Sequence, residues 1–318
     1  MQLFSSCCGK GSAGDKEAKT EPPRKIFSLK ELHAATNSFN YDNKLGEGRF
    51  SSVYWGQLSD GSQIAVKRLK SWTNREDINF TLEVEILSRI RHKNLLSVRG
   101  YCNEGQERLL VYEYMPNLSL VSHLHGQHSA ECILDFHGDV RASNVLLDSE
   151  FEARVTDFGY GKLMPEDEAK SNNNNGYLSP ERVASEAGDV YSFGILLLEL
   201  VSGKRAKLGL TEWVLPLVYE RKFGEIVEQR VKEEDVGERL KKVVLVGLLC
   251  AQREAEMRPT MSQVVEMLMN ESKEKMSELE CNPLFKKPCS SGDENHREDQ
   301  EGADVITEEK DDHHQQQE

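Results

Sequence analysis

An ordered spacing of polar residues constrains this chain more than any other feature. His137-Gly138-Asp139-Val140-Arg141-Ala142-Ser143-Asn144 runs into the apolar Val145-Leu146-Leu147, and Asp157-Phe158-Gly159 begins thirteen residues after Asn144. An Asp with an Asn five residues later, and a second Asp before Phe-Gly, supplies what phosphoryl transfer needs. One carboxylate orients an attacking hydroxyl, and two hard oxygen ligands suit magnesium. Asp-Phe-Gly alone arises often by chance. The whole ordered series does not: glycines, Lys67, Glu83, Asp139, Asn144 and Asp157, then Ser179-Pro180-Glu181 and Asp189.

The earlier members have ordinary readings when taken singly. Gly46-Glu47-Gly48-Arg49-Phe50-Ser51-Ser52-Val53 is a Gly-rich loop between strands, in which missing side chains let backbone N–H groups approach phosphates. Its third glycine position is Ser51, and a two-glycine hairpin turn is commoner than a nucleotide loop. Fourteen residues beyond Val53, Ile64-Ala65-Val66-Lys67 puts a lysine at the end of an apolar strand, where a lysine is ordinarily just solvated. Glu83, on the amphipathic stretch Phe80 to Ile90, is a plausible ion-pair partner for it. Glu85 is the alternative, on another helical face.

A chain of 318 residues has room for one large two-lobed domain with tails and for a sizeable core. Residues 45 to 114 carry short β-branched or apolar runs (Ser52 to Tyr54, Gln63 to Lys67, Leu109 to Tyr114) around one helical stretch. After Met115 the spacing turns helical over Val190 to Val201, Leu210 to Tyr219, Arg239 to Ala251 and Met261 to Met269, with Pro259 suiting a helix start. The predicted fold class is α+β: an antiparallel-sheet lobe with one helix, then a mainly helical lobe. Residues 1–26 read as a flexible leader, 27–114 as the small lobe, 115–270 as the large lobe and 271–318 as an acidic disordered tail. The net charge is −14, and residues 290 to 318 hold eleven acidic and two basic residues. The rest is only mildly acidic, with no basic footprint for nucleic acid. Seven cysteines with no CxxC pair indicate neither a disulfide framework nor a zinc site. The most apolar run, Gly194 to Val201, is far shorter than the roughly 20 residues that span a bilayer.

Over roughly residues 40 to 270 the chain resembles the eukaryotic protein kinases. Phe27-Ser28-Leu29-Lys30-Glu31-Leu32, Ala35-Thr36-Asn37-Ser38-Phe39, Tyr191-Ser192-Phe193-Gly194 and Arg258-Pro259-Thr260-Met261 narrow this to plant receptor-like cytoplasmic kinases related to Pto-interacting kinases. The resemblance implies a bilobal kinase fold and ATP-dependent phosphorylation of protein hydroxyls with Mg2+. It implies that Lys67 binds the α and β phosphates, Glu83 fixes Lys67, and Asp139 is the catalytic base. Asn144 and Asp157 hold magnesium, and Arg141 stands where a lysine touches the γ-phosphate. Gly46, Gly48, Val53 and Ala65 surround the nucleotide, while Glu113 and Met115 offer the hinge backbone to adenine behind Tyr112. Asp189 anchors the catalytic loop, and Glu181 pairs with Arg258 in a partly buried ion pair. Implied partners are a protein substrate and an upstream membrane receptor kinase, in the cytoplasm or at the inner face of the plasma membrane.

Three departures from that pattern bear on activity. Gly138 replaces the arginine that clamps a phosphorylated activation segment, whose hydroxyls here are Ser171 and Tyr177. Asn174 stands where serine/threonine kinases usually carry a threonine, so serine or threonine acceptors are favoured by resemblance alone and tyrosine stays open. The third is a gap: about twenty residues separate Met115 from His137, where the fold usually has roughly fifty, for one short helix and one long buried one. Leu118 to Leu124 can make the short helix; Ile133-Leu134-Asp135-Phe136 runs straight into the catalytic loop. Loss of the long helix predicts exposed apolar surface on Val190 to Val201. A second shortening lies between Glu181 and Asp189. The rival to an enzyme is therefore a catalytically impaired scaffold. Cys7-Cys8 resembles an S-acylation site that would tether the chain to a membrane. The histidines suggest no metal site; His123, His125 and His128 read as a helix surface.

Overall fold

The computed structural model describes residues 25–48, 51–70, 80, 84–85, 89–126, 140–157, 176–183, 185–229 and 237–287. Six strands form the small lobe's sheet: β1 (Lys25–Ile26), β2 (Lys44–Glu47), β3 (Ser51–Gln57), β4 (Gln63–Leu69), β5 (Val98–Glu104) and β6 (Glu107–Glu113). Their order is β1-β5-β6-β4-β3-β2. Pairing is antiparallel except that β1 lies parallel to β5, with Lys25 opposite Gly100. Residue 100 must be glycine for this, because a Cβ there would lie 1.9 Å from the Lys25 carbonyl oxygen. Lys25 and Ile26, expected to belong to the leader, thus pair into the sheet.

Ahead of β2 the small lobe holds α1 (Leu29–Ala35), whose N-cap Ser28 accepts from the Glu31 amide. Thr36 ends it by donating to the Leu32 carbonyl at 2.7 Å and accepting from the Phe39 amide at 3.1 Å. Strand alternation then sorts the side chains onto two faces. Ile64, Val66, Leu109 and Val111 join Phe27, Leu32 and Phe39 on the α1 side. Leu69, Leu110 and Tyr112 face the other way, with Phe80, Leu96 and Met115 and with Ala65 and Val84 packed against them.

Among the described residues, the large lobe holds α2 (Leu120–His125), the hairpin β7 (Val145–Leu147) and β8 (Ala153–Val155), α3 (Glu186–Ser202), α4 (Leu210–Tyr219), α5 (Phe223–Ile226), α6 (Glu238–Cys250), α7 (Met261–Met269) and α8 (Lys273–Glu280). The helical spacings predicted from the sequence fall on α3, α4, α6 and α7. Helix α7 starts two residues past Pro259, behind a Thr260 capping box closed by Gln263. Eleven of the seventeen residues of α3 are buried, as expected of a helix apolar on nearly every side. The expectation that its surface would stand open is corrected: Leu200, at 37% exposure, is the only large apolar side chain of α3 that is exposed. The main reason is close approach of α6. A Cβ on Gly194 would sit 2.6 Å from both the Cys250 Cβ and the Gly247 carbonyl oxygen. Only glycine lets these two backbones meet.

The disordered tail expected from residue 271 is corrected as well. Helix α8 is capped by Ser272, and Leu279 is buried in the large-lobe core, with Met276, Leu284 and Phe285 packed against it. Glu280 is held by Lys241 at 2.5 Å and Arg221 at 3.1 Å. The polar sequence of α8 hid this, because its few apolar residues all lie on the face turned to the core.

Candidate active site

Lys67 owes its direction to the register of the sheet. Gly46 lies opposite Val53, Val53 opposite Lys67 and Lys67 opposite Leu110, so the four form one row across β2, β3, β4 and β6. Ala65 lies opposite Tyr112 two residues away, on the same face. Lys67 is not at a strand end, as the sequence suggested, because β4 continues to Leu69. The β2–β3 turn is drawn in by the Gly48 amide donating to the Ser51 carbonyl at 2.8 Å.

The hairpin β7–β8 brings up the opposing residues. Val145 pairs with Val155, so Asn144, just before β7, and Thr156-Asp157, just after β8, emerge together at its open end. The Thr156 amide donates to the Asn144 carbonyl at 2.8 Å, and the Asn144 amide to the Arg141 carbonyl at 2.9 Å. The hairpin is fastened to the small lobe through Leu96 N–H to the Val155 carbonyl and Val155 N–H to the Asn94 carbonyl, both 2.8 Å. It is fastened to the hinge through Leu147 N–H to the Leu118 carbonyl at 2.8 Å and the Asn117 side chain to the Asp148 carbonyl at 2.6 Å.

Across this junction Lys67 Nζ meets Asp157 Oδ1 at 2.6 Å, with side-chain exposures of 6% and 8%. Asp157 holds a left-handed φ of 56°, a strained setting of the sort kept at functional sites. Asn144 is buried. Two hard oxygen donors and an ammonium group at one dry junction fit a magnesium ion that arrives on phosphates, since such an ion needs only one or two protein ligands. No cluster of three or more His, Cys, Asp or Glu that could hold a metal occurs among the described residues.

Other expected residues fall as follows. Glu113 ends β6, its amide donating to the Ser97 carbonyl at 3.2 Å, while Met115 is buried in the inner small-lobe cluster with Tyr112. Glu85, the alternative partner for Lys67, pairs with Arg89 at 2.6 Å on the surface. Glu83 and Asp139 lie outside the described residues, as do Gly138, Ser171, Asn174, Cys7 and Cys8. Asp189 is exposed in the first turn of α3. Arg141 is buried with its guanidinium 5.7 Å from the centre of the Tyr177 ring.

Glu181 and Arg258 form a two-pronged pair at 2.7 and 2.8 Å. Arg258 also donates to the carbonyls of Gln252, Arg253 and Ala187 and stacks over Tyr191 at 5.0 Å. The guanidinium's hydrogen bonds hold the Glu181 carboxyl below its usual range.

Sequence reasoning missed a buried trio. Tyr177 was read as an available hydroxyl, yet it is 7% exposed and donates to Glu199 Oε2, while the Ala142 amide donates to it at 3.1 Å. Burial and the neighbouring Glu199 push its phenol far above the usual range. His125 was read as surface cover, yet its side chain is 7% exposed and its Nε2 meets Glu199 Oε1 at 2.8 Å. A signal was available: Glu199 is the one charged residue in the run Gly194 to Val201, and a charge there must be paired.

Comparison with known proteins gives the family of the chain. The profile of the protein tyrosine and serine/threonine kinase family matches residues 39–135 and 128–268. The chain therefore belongs to that family: it is a protein kinase, a phosphotransferase with the bilobal fold. It is 68% identical to a PTI1-like tyrosine-protein kinase of Arabidopsis thaliana, over 363 aligned positions that take in all of both chains. It is 37% identical to a probable LRR receptor-like serine/threonine-protein kinase of the same plant, over 76% of this chain and 46% of that one. A proline-rich receptor-like protein kinase, again from Arabidopsis thaliana, is 37% identical over 84% of this chain and 62% of its own.

The same alignments locate the shortening. With 363 positions aligned against 318 residues, at least 45 positions of the first relative have no counterpart here. The family profile breaks into two matches that overlap at 128–135, just ahead of the catalytic loop.

Proposed function

We propose that this kinase binds ATP with Mg2+ at the junction of its two lobes and transfers the γ-phosphate to a protein hydroxyl. The observation that carries the reading is the buried Lys67–Asp157 pair, closed across the lobes with Asn144 beside it at the hairpin's open end. Lys67 holds the α and β phosphates with support from Glu83, and Asn144 and Asp157 hold the magnesium. When bound, that ion offsets charge building on the phosphate oxygens. Gly46 and Gly48 bring backbone amides over the phosphates, Val53 and Ala65 line the adenine slot, and the backbone at Glu113 and Met115 binds its edge. Arg141 supplies positive charge near the γ-phosphate. Asp139 takes the proton of the attacking hydroxyl as the new P–O bond forms and the bond to the ADP oxygen breaks.

What favours an enzyme over a scaffold is the retention of this donor set together with the covered state of α3. Serine and threonine are the favoured acceptors and tyrosine is a second class, since relatives of both descriptions match. An upstream membrane receptor kinase, a place in the cytoplasm and tethering through Cys7 and Cys8 belong to the same reading. No helix among the described residues is long and apolar enough to cross a membrane. The test is transfer of labelled γ-phosphate to a peptide library of Ser, Thr and Tyr acceptors. Incorporation that needs magnesium and is lost in Asp139→Asn is the expected result; equal incorporation by that variant overturns the assignment.

A further inference from the structure

A chain of directed hydrogen bonds leads from α2 to the catalytic loop. Its far end is the Ala142 amide, between Arg141 and Asn144, donating to Tyr177 Oη at 3.1 Å. A phenol has one proton, so Tyr177 presents a lone pair to Ala142 only while that proton is committed elsewhere, and it is donated to Glu199 Oε2. The other carboxylate oxygen, Oε1, accepts from the Ala206 amide at 3.2 Å and meets His125 Nε2 at 2.8 Å. With the carboxylate accepting on both oxygens, Nε2 is the proton donor. The side chains of His125 and Glu199 are 7% and 4% exposed, and Tyr177 is 7% exposed. Water does not compete for these bonds, and each partner limits the rotation of the next.

We propose that His125 is a positioning residue for phosphotransfer: by fixing the rotation of Glu199 it directs the Tyr177 hydroxyl at Ala142 and so holds the segment between Asp139 and Asn144. The kinetic part rests on the function proposed above; the coupling itself does not. Loss of the imidazole donor leaves Oε1 with the Ala206 amide alone, the carboxylate is free to turn, and the catalytic loop loses its prop from below. The adenine contacts and Lys67 are spared, because Val53, Ala65 and Lys67 belong to the small-lobe sheet and Glu113 and Met115 lie ahead of the loosened segment.

Amide hydrogen exchange on the full chain tests the coupling in wild type, His125→Phe and His125→Gln. The phenyl ring fills the space without a donor, whereas the Gln amide nitrogen reaches about as far as Nε2. His125→Phe is expected to speed exchange at Ala142 about tenfold or more while β3 to β6 stay unchanged, and His125→Gln to restore slow exchange. In steady-state assays kcat should fall about tenfold in His125→Phe with KM for ATP within about twofold. Unchanged exchange at Ala142, or equal loosening of the sheet, overturns the coupling. Faster exchange with an unaltered kcat overturns the positioning role. Expected exchange in a wild-type protein that transfers no phosphate supports the coupling and overturns the function proposed above.

Discussion

At the scale of single residues, the Lys67–Asp157 and Glu181–Arg258 pairs behave differently because the first bridges the two lobes and the second lies within the large lobe. Lys67 and Asp157 neutralise each other with side chains only 6% and 8% exposed, so removing the lysine strands the Asp157 carboxylate. Lys67→Met is expected to cost about 3–5 kcal/mol in urea unfolding, and the double variant Lys67→Met/Asp157→Asn to recover part of it. Both should lose phosphotransfer by on the order of 100-fold or more. Glu181 and Arg258 give a pH signature. The Glu181 carboxyl titrates below its ordinary value of 4.5 when folded. Its contribution is therefore complete above that value and is lost as pH falls through the lower folded value. Melting temperature should drop on acidification below about pH 4.5. Glu181→Gln should melt lower at pH 7, with Arg258 left unpaired, and show a shallower acid slope. An unchanged slope would rule out this pair as a source of acid sensitivity.

At the scale of elements, the contact between α3 and α6 decides whether the large lobe closes. A methyl group at residue 194 meets backbone at 2.6 Å, which no rotamer change relieves. Gly194→Ala is expected to lower stability by about 1–3 kcal/mol, read as a fall in urea midpoint with the slope unchanged. Helix α8 is the other element whose role exceeds its composition. Leu279 is 9% exposed against the core, and Leu279→Ala should cost about 2–3 kcal/mol. A chain ending at Asn270 should melt lower still, since it also loses Glu280, the ion-pair partner of Lys241 and Arg221. A truncated chain as stable as wild type would show that α8 merely rests on the surface.

For the whole molecule, the shortening ahead of the catalytic loop sets the question of how the lobes act together. The pair from β4 to Asp157 spans both lobes, so a ligand seated there should stabilise both at once. Magnesium-ATP at about 100 times its Kd is expected to add about 2.7 kcal/mol, seen as one cooperative transition moved upward. Lys67→Met should lose that response. Two separate transitions, only one of them sensitive to nucleotide, would show that the lobes do not fold as one unit despite the Lys67–Asp157 contact.

The kinase family, the α+β class and helices α3, α4, α6 and α7 were legible because each rests on local spacing. The order of the motif residues Asp139, Asn144 and Asp157 pointed to the family, and apolar residues recurring with helical period mark the buried helices without reference to the rest of the chain. What neighbours across the fold decide was not legible. Gly100 admits β1, and the Gly194–Gly247 approach covers α3, through contacts between residues far apart in sequence. Helix α8 is too polar on average to announce its one buried face. His125 and Tyr177 look like surface groups until Glu199 turns out to be the buried carboxylate they share. The sequence by itself determined which chemistry the chain carries, because reactive groups are chosen by residue type and order. The tertiary structure alone decided which of the remaining polar groups are withdrawn from water, because burial belongs to the assembled fold and not to any stretch of the chain.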